Sequence, residues 1–343
     1  MGALFERFRL GLVLPFAGLI VGVLVHGLYW AVVAGGLDQR AEAWIAVQER
    51  AGYEIEHQGL SVGGYPFRFS LRVDAPVIGA PASDGGWRAE FERLAATAQF
   101  YNLDHWIVTL GAPARLSTQV AGEAAVYLLN ADLARVSLAA TSGATTRVGA
   151  DLDGFTLTVE SGPAAVVERV GQVRLSGFLD EQDRLSFALE ALDVRLADSQ
   201  MEPEIVEAFG STAQRVRLSG ALTHWSTLAR AVDPYVWTGS GGRLEIAAAQ
   251  LVWGPADING SGEITLDTLM RPTGRLSLVV TDPDTLIGAL EAAGLVYDEQ
   301  GQALRLFALM APRRDTGIAL PFRLQDGGLF LGPARIGSVG AVN

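Results

Sequence analysis

Gly59-Leu60-Ser61-Val62-Gly63 has the GxSxG spacing of a nucleophile elbow, which presents a serine on a sharp turn between a strand and a helix. Here Gly64-Tyr65-Pro66 follows, then an alternating run that reads as a strand, so no helix starts where the elbow needs one. The four histidines, His26, His57, His105 and His224, form no HxH, HExxH or HxxxH pair, which argues against a zinc site. His105 lies in Tyr101-Asn102-Leu103-Asp104-His105-Trp106, read as a turn entering the strand Ile107 to Leu110. An imidazole there either faces a ligand or bonds turn backbone. Asp151/Asp153, Glu202/Glu204 and Asp282/Asp284 are close carboxylate pairs, the residue type used in glycoside chemistry. They fall beside Gly154, at a helix start and in a helix cap, where turn and cap chemistry accounts for them. Gly239-Ser240-Gly241-Gly242 precedes a strand rather than a helix and is no phosphate cradle.

Composition closes further routes. All 26 basic residues are arginine, which rules out a P-loop GK[ST], a Schiff-base lysine and an SxxK nucleophile. The absence of cysteine removes thiol nucleophiles, disulfides, iron–sulfur clusters and cysteine zinc sites. A net charge of −12 over 343 residues repels phosphate backbones, so no nucleic-acid partner is expected. The expectation is a protein without catalytic residues, bound metal or cofactor.

The elements that would position any site start with the N-terminus. The 28 residues from Leu10 to Leu37 carry no formal charge. As a helix they span roughly 42 Å, more than the roughly 30 Å hydrocarbon core of a bilayer. Tyr29 and Trp30 lie toward the far end, suited to an interfacial aromatic belt, and His26 has a polar ring to satisfy. Arg7 and Arg9 precede the span and Asp38 follows it. The positive-inside rule then makes residues 1–9 a cytoplasmic tail, 10–37 a single-pass inner-membrane anchor and 52–343 a periplasmic body. A cleaved signal peptide is the alternative, with Val32-Val33-Ala34 as a weak cleavage site and Gly35 as the mature start. Residues 38–51 read as a short juxtamembrane helix, with Ala41, Trp44, Ile45 and Gln48 on one face.

Beyond Gly52, period-two alternation dominates. Phe67, Phe69, Leu71 and Val73 alternate with Arg68, Ser70 and Arg72. Leu185, Phe187 and Leu189 alternate with Arg184, Ser186 and Glu190, and the parity then changes between Leu189 and Leu192, with Val194 and Leu196 following, which signals a bulge or bend. Leu276, Leu278 and Val280 continue the pattern, as do Ile318, Leu320, Phe322 and Leu324. Such strands belong to an antiparallel sheet with one side covered. Asp326-Gly327-Gly328 and Asn259-Gly260-Ser261-Gly262 read as turns. Short helices are expected at Glu202–Phe209, at Trp225–Ala231 and after the Asp282-Pro283 cap, where Leu286, Leu290 and Ala293 would pack on the sheet. Val173-Arg174-Leu175-Ser176-Gly177 recurs as Val216-Arg217-Leu218-Ser219-Gly220, hinting at repeated hairpins.

Four strings carry a family resemblance: Gly64-Tyr65-Pro66-Phe67-Arg68; Ala96 to Leu116, with Tyr101-Asn102-Leu103-Asp104-His105 leading to Leu110-Gly111-Ala112-Pro113; Leu251-Val252-Trp253-Gly254-Pro255 with Gly260-Ser261-Gly262 and Leu266-Asp267; and Leu324 to Pro333. Together they resemble the proteobacterial domain-of-unknown-function 2125 family from about Gly52 onward, with Leu103 standing where that pattern has proline. More distantly the chain resembles AsmA-like envelope proteins, which implies a long curved antiparallel sheet, a β-taco with an apolar groove for lipid acyl chains. The expectation is therefore a mainly β protein with a few short helices behind one transmembrane helix. The resemblance further implies lipid binding or lipid transfer in envelope maintenance. The candidate groove is Phe67, Phe69, Leu71, Leu185, Phe187, Leu189, Leu276, Leu278, Leu320 and Phe322. Alternation shows a face and not its covering. A closed core that recruits a protein partner through a sheet edge is the alternative.

Overall fold

A computed structural model describes residues 2–120, 122–141, 144–231, 233–314, 317–332 and 334–342. Helix α1 (Gly2–Arg50) is continuous. Gly35 and Gly36 do not interrupt it, so the juxtamembrane helix expected at 38–51 is the end of the same rod. Ala41, Ile45 and Gln48 are half-buried, while Trp44 is exposed. Within Val21–Arg50 the helix is long and apolar enough to cross a membrane.

The rest is one large open antiparallel sheet. Its first half is built of creased segments: β1 (Glu54–Glu56) with β2 (Gly59–Gly63), β3 (Arg68–Asp74) with β4 (Val77–Gly79), β5 (Arg88–Phe91) with β6 (Arg93–Gln99), β7 (Asn102–Leu110) with β8 (Ala114–Val120), and β9 (Glu123–Asn130) with β10 (Leu133–Thr141). On one side of the crease the order is β2-β3-β6-β7-β10; on the other it is β1-β4-β5-β8-β9. Both sides meet on the long strand β11 (Ala144–Ser161), which pairs β10 along its first part and β9 along its last. Then β12 (Val167–Leu179), β13 (Arg184–Leu196), β14 (Thr212–Thr223), β15 (Leu244–Trp253), β16 (Ala256–Leu266) and β17 (Pro272–Val280) follow in sequence order. After β18 (Arg313–Arg314), the sheet ends with β19 (Gly317–Gln325), β20 (Gly328–Leu331) and β21 (Ala334–Ser338). Apart from the short β18, each segment lies beside its sequence neighbours, so the body is an up-and-down meander.

The crease has local causes. It passes Ala75 (φ 45°), the Gly111-Ala112-Pro113 break and Gly154 (φ 61°), and it reaches Asp193 (φ 52°) in β13. The bend expected between Leu189 and Leu192 is not there, since those residues pair in unbroken register; it falls one residue later, at Asp193, and Gly171 of β12 lies against it, where a Cβ would touch the Asp193 side chain. An odd step in a regular strand would turn the next apolar residue to the opposite face.

Helices fill the longer connections. α2 (Pro203–Phe209) links β13 to β14; α3 (Trp225–Ala231) and α4 (Pro234–Gly239) link β14 to β15. Pro234 begins α4 with Asp233 as its cap. α5 (Pro283–Ala292) and α6 (Asp298–Met310) link β17 to β18. Asp282 caps α5 through the Thr285 amide, with Pro283 in the first turn. Leu286 and Ala293 are buried in a core with Phe209, Ala256, Val280 and Ile318, and Leu290 packs against it. α6 was not anticipated, because Gly301 interrupts its apolar pattern. Asn259-Gly260-Ser261-Gly262 is not a turn but the interior of β16, where Gly260 and Gly262 oppose Leu278 and Leu276. Asp326-Gly327 is the expected two-residue hairpin, both residues at positive φ, between the paired Gln325 and Gly328.

Candidate functional site

Antiparallel partners directly opposite each other share a face of the sheet. Following partners strand by strand from Leu71 gives Ala96, Val108, Val136, Ala150, Leu175, Leu189, Leu218, Ala249, Gly260, Leu278 and Leu320. Starting from Phe69 gives Ala98, Trp106, Leu138, Val148, Gly177, Phe187, Gly220, Ile246, Gly262, Leu276, Phe322 and Leu331. Neither row contains a polar or charged side chain, although the indole N–H of Trp106 donates to the Leu103 carbonyl at 2.8 Å. At about 4.8 Å per strand the double row extends on the order of 50 Å across the sheet.

These two rows collect Phe69, Leu71, Phe187, Leu189, Leu276, Leu278, Leu320 and Phe322 of the candidate groove. Leu185 lies one row further on, opposite Leu179 and Leu222. Phe67 does not join them: it sits in the turn before β3 and is exposed. Sequence reading missed the contributions of β7, β10, β11 and β14, where alanine, valine and single leucines make weaker alternation than phenylalanine does.

The two ends of the apolar face are covered. At the first, Trp30 of α1 stacks on Phe69, which is fully buried. At the other, α5 and α6 roof β16, β17 and β19 and enclose an apolar cavity of about 540 Å³. Leu278, Leu320 and Phe322 form its floor; Leu286, Leu290, Leu304 and Phe307 form its roof; Arg335 and Gln300 are the polar side chains on its wall. The volume falls within the range of small-molecule sites, roughly 300–1,000 Å³. Between the ends the face is partly open, with Val148 38% and Leu175 41% exposed. The roof is pinned by an ion pair. Arg305 of α6 grips both carboxylate oxygens of Glu291 in α5, at 2.7 and 2.5 Å, and holds that carboxyl below the usual glutamate range.

The opposite face is charged and self-compensating. Arg135, Asp151, Arg174, Glu190 and Arg217 follow one another across β10–β14 with alternating sign. Arg135 bonds Asp151 at 2.9 Å, and Arg184 pairs with Glu245 at 2.6 Å. A wide concavity, about 1090 Å³, lies on this face. Its floor is a row of small residues, Ser137, Gly149, Ser176 and Ala188, and the missing side-chain bulk makes the hollow. His105 borders it and bonds Ser137 Oγ at 2.8 Å. It sits inside β7, not in a turn, and its partner is a side chain rather than turn backbone.

The other chemical candidates are dispersed. Gly59–Gly63 is strand β2, with Ser61 opposite Arg72 and a turn into β3 rather than a helix after it. His26 Nε2 lies 2.7 Å from the Pro66 carbonyl oxygen, which satisfies its ring. His224 is exposed beside Thr223. Asp153 accepts a bond from Gln172, and Asp282 is occupied as a cap. Among the described residues, no group of three or more histidine, cysteine, aspartate or glutamate side chains gathers to hold a metal.

Searches of curated proteins and of solved structures return no match to this chain. A family model described as an uncharacterized protein conserved in bacteria matches residues 30–339, which takes in Trp30 of α1 and the whole meander. Pro333, at the end of the fourth string, lies outside the described residues. The order of the four strings along one continuous meander and the span of that match make this chain a member of the DUF2125 family.

Proposed function

We propose that this is a lipid-binding protein of the bacterial envelope, held in the inner membrane by α1 with its body in the periplasm. The observation that carries the reading is the polar-free double row running from Phe69 and Leu71 to the cavity beneath α5 and α6. Acyl chains need no directional partner: each buried methylene contributes about 0.8 kcal/mol, so an apolar face holds many chain types. In the cavity, an acyl tail would lie between Leu278, Leu320 and Phe307, and an anionic headgroup would meet Arg335. Arg7 and Arg9 ahead of the apolar span favour a cytoplasmic N-terminus. Transfer of lipid along the face is the extension of this reading.

Native mass spectrometry of the full chain released from lipid nanodiscs tests it. Retained mass matching one phospholipid or fatty acid, reduced in a cavity-filling variant, supports the reading. A bare protein mass from lipid-rich preparations, with no uptake of added fatty acid, overturns it.

A second reading, recruitment of a protein through the sheet edge, is favoured by β21, which pairs on one side only among the described residues. Crosslinking from β21 that traps one stoichiometric protein and no lipid would replace the first reading by this one.

A further inference from the structure

The turn between β2 and β3 and the turn between β6 and β7 both reach α1 inside its apolar stretch. Trp30 Nε1 donates to the Arg68 carbonyl at 3.0 Å, and the Trp30 ring meets Tyr65 edge-on. The His26 ring packs edge-on against Phe100, with centroids 5.0 Å apart. The tips of these turns carry large aromatics that the body leaves uncovered: Tyr65, Phe67 and Tyr101 are 50, 70 and 74% exposed. On the helix beside them, Leu24 and Leu28 are also exposed.

The helix fixes the depth of these tips. Counted from Leu10, the first residue after Arg9, a hydrocarbon core of roughly 30 Å at about 1.5 Å per residue ends near Tyr29 and Trp30. The surplus, residues 31–37, lies beyond the core, and Ala34 within it is buried against the body. His26 and Trp30 therefore stand at the boundary between acyl chains and headgroups, and the turns touching them stand there too. Tyrosine and tryptophan favour this layer, with an apolar ring on one side and a polar group on the other.

We propose that the Tyr65–Phe67 and Phe100–Tyr101 turns are seated in the headgroup–acyl boundary of the leaflet from which α1 emerges. The partner is the lipid surface itself. Four aromatics from two turns join Tyr29 and Trp30 in one collar, and Phe69, where one apolar row begins, sits directly behind it. This proposal rests on α1 as a membrane span, and it is independent of whether the distant cavity binds lipid.

The chain has no cysteine, so single-cysteine variants label without background. Phe67→Cys, Tyr101→Cys, Leu19→Cys and Ser199→Cys are each given an environment-sensitive fluorophore and placed in phosphatidylethanolamine/phosphatidylglycerol vesicles. Quenchers are carried on the lipid either near the headgroup or near the chain end. Labels at positions 67 and 101 should lose at least about half their emission to the shallow quencher and much less to the deep one. The label at 19 should respond to the deep quencher, and that at 199, in the connection after β13 at the far ends of the strands, to neither. Positions 67 and 101 behaving like 199 while 19 is quenched would overturn the seating alone. An unquenched label at 19 would overturn the membrane span and the seating together. Lipid retention by the cavity, read separately by mass, decides neither.

Discussion

Gly177 and Gly220 stand at the same level on the two strands flanking β13, both directly opposite Phe187. The recurring Val-Arg-Leu-Ser-Gly string thus has a physical sense. Its two copies sit in matching register on either side of one strand, with Leu175 and Leu218 beside Leu189 and with Arg174 and Arg217 bracketing Glu190. The two glycines are not equivalent. A Cβ on Gly177 would meet only Leu185 Cδ1, at 3.7 Å, whereas one on Gly220 would collide with the Glu245 backbone carbonyl oxygen. Gly177→Ala should change stability by no more than about 0.5 kcal/mol, while Gly220→Ala should cost about 1–3 kcal/mol. Chemical unfolding of both variants checks this, and equal losses would contradict it.

Trp30 and Phe69 stack with their planes 12° apart and their centroids 5.6 Å apart. Phe69→Ala should cost about 3–5 kcal/mol, as expected for a fully buried ring. Trp30→Ala should uncouple α1 from the first strands and speed protease cleavage in the Ala51–Tyr53 connection. A thermal melt and a digestion time course, both on the full chain, read these effects.

Filling the cavity offers a direct test of lipid retention. Leu304→Trp places an indole where two or three acyl methylenes would otherwise be held. At about 0.8 kcal/mol each, their displacement should weaken binding roughly tenfold or more. Native mass spectra should show the loss, with far-ultraviolet circular dichroism unchanged.

The Glu291–Arg305 pair makes the roof sensitive to acid. Its partner lowers the folded-state pKa of Glu291 below the unfolded value. The pair's contribution is therefore complete above the ordinary glutamate range and is lost only as pH falls through the depressed folded value. Hydrogen exchange in α6 should be faster in Glu291→Gln than in the native protein at neutral pH. The difference should close in acid below the usual carboxylate range.

The sequence reading recovered what local chemistry dictates. The Asp282-Pro283 cap and the Asp326-Gly327 hairpin follow from rules spanning a few residues, whereas the bend expected between Leu189 and Leu192 falls just beyond, at Asp193. Eight candidate groove residues lie in the two apolar rows for the same reason: alternation assigns a face once a strand is recognised. Phe67 failed because alternation does not mark where a strand begins. Gly260 and Gly262 misled, since glycine fits both a turn and a strand interior that needs space opposite Leu276 and Leu278. The roof was half legible: the capped α5 was expected, but α6 was hidden by Gly301. Leu304, Phe307 and Ala308, at helical spacing, were the signal available for it.

The ordering of the meander bears on how the molecule is made. Each new stretch of backbone finds its docking partner in the stretch that emerged just before it, so registry can propagate like a zipper from α1 outward. Loops to be closed stay short, which keeps the entropic barrier of each step low. Growth at one edge also means that a newly added strand, exposed only until the next arrives, is the transient hazard for self-association.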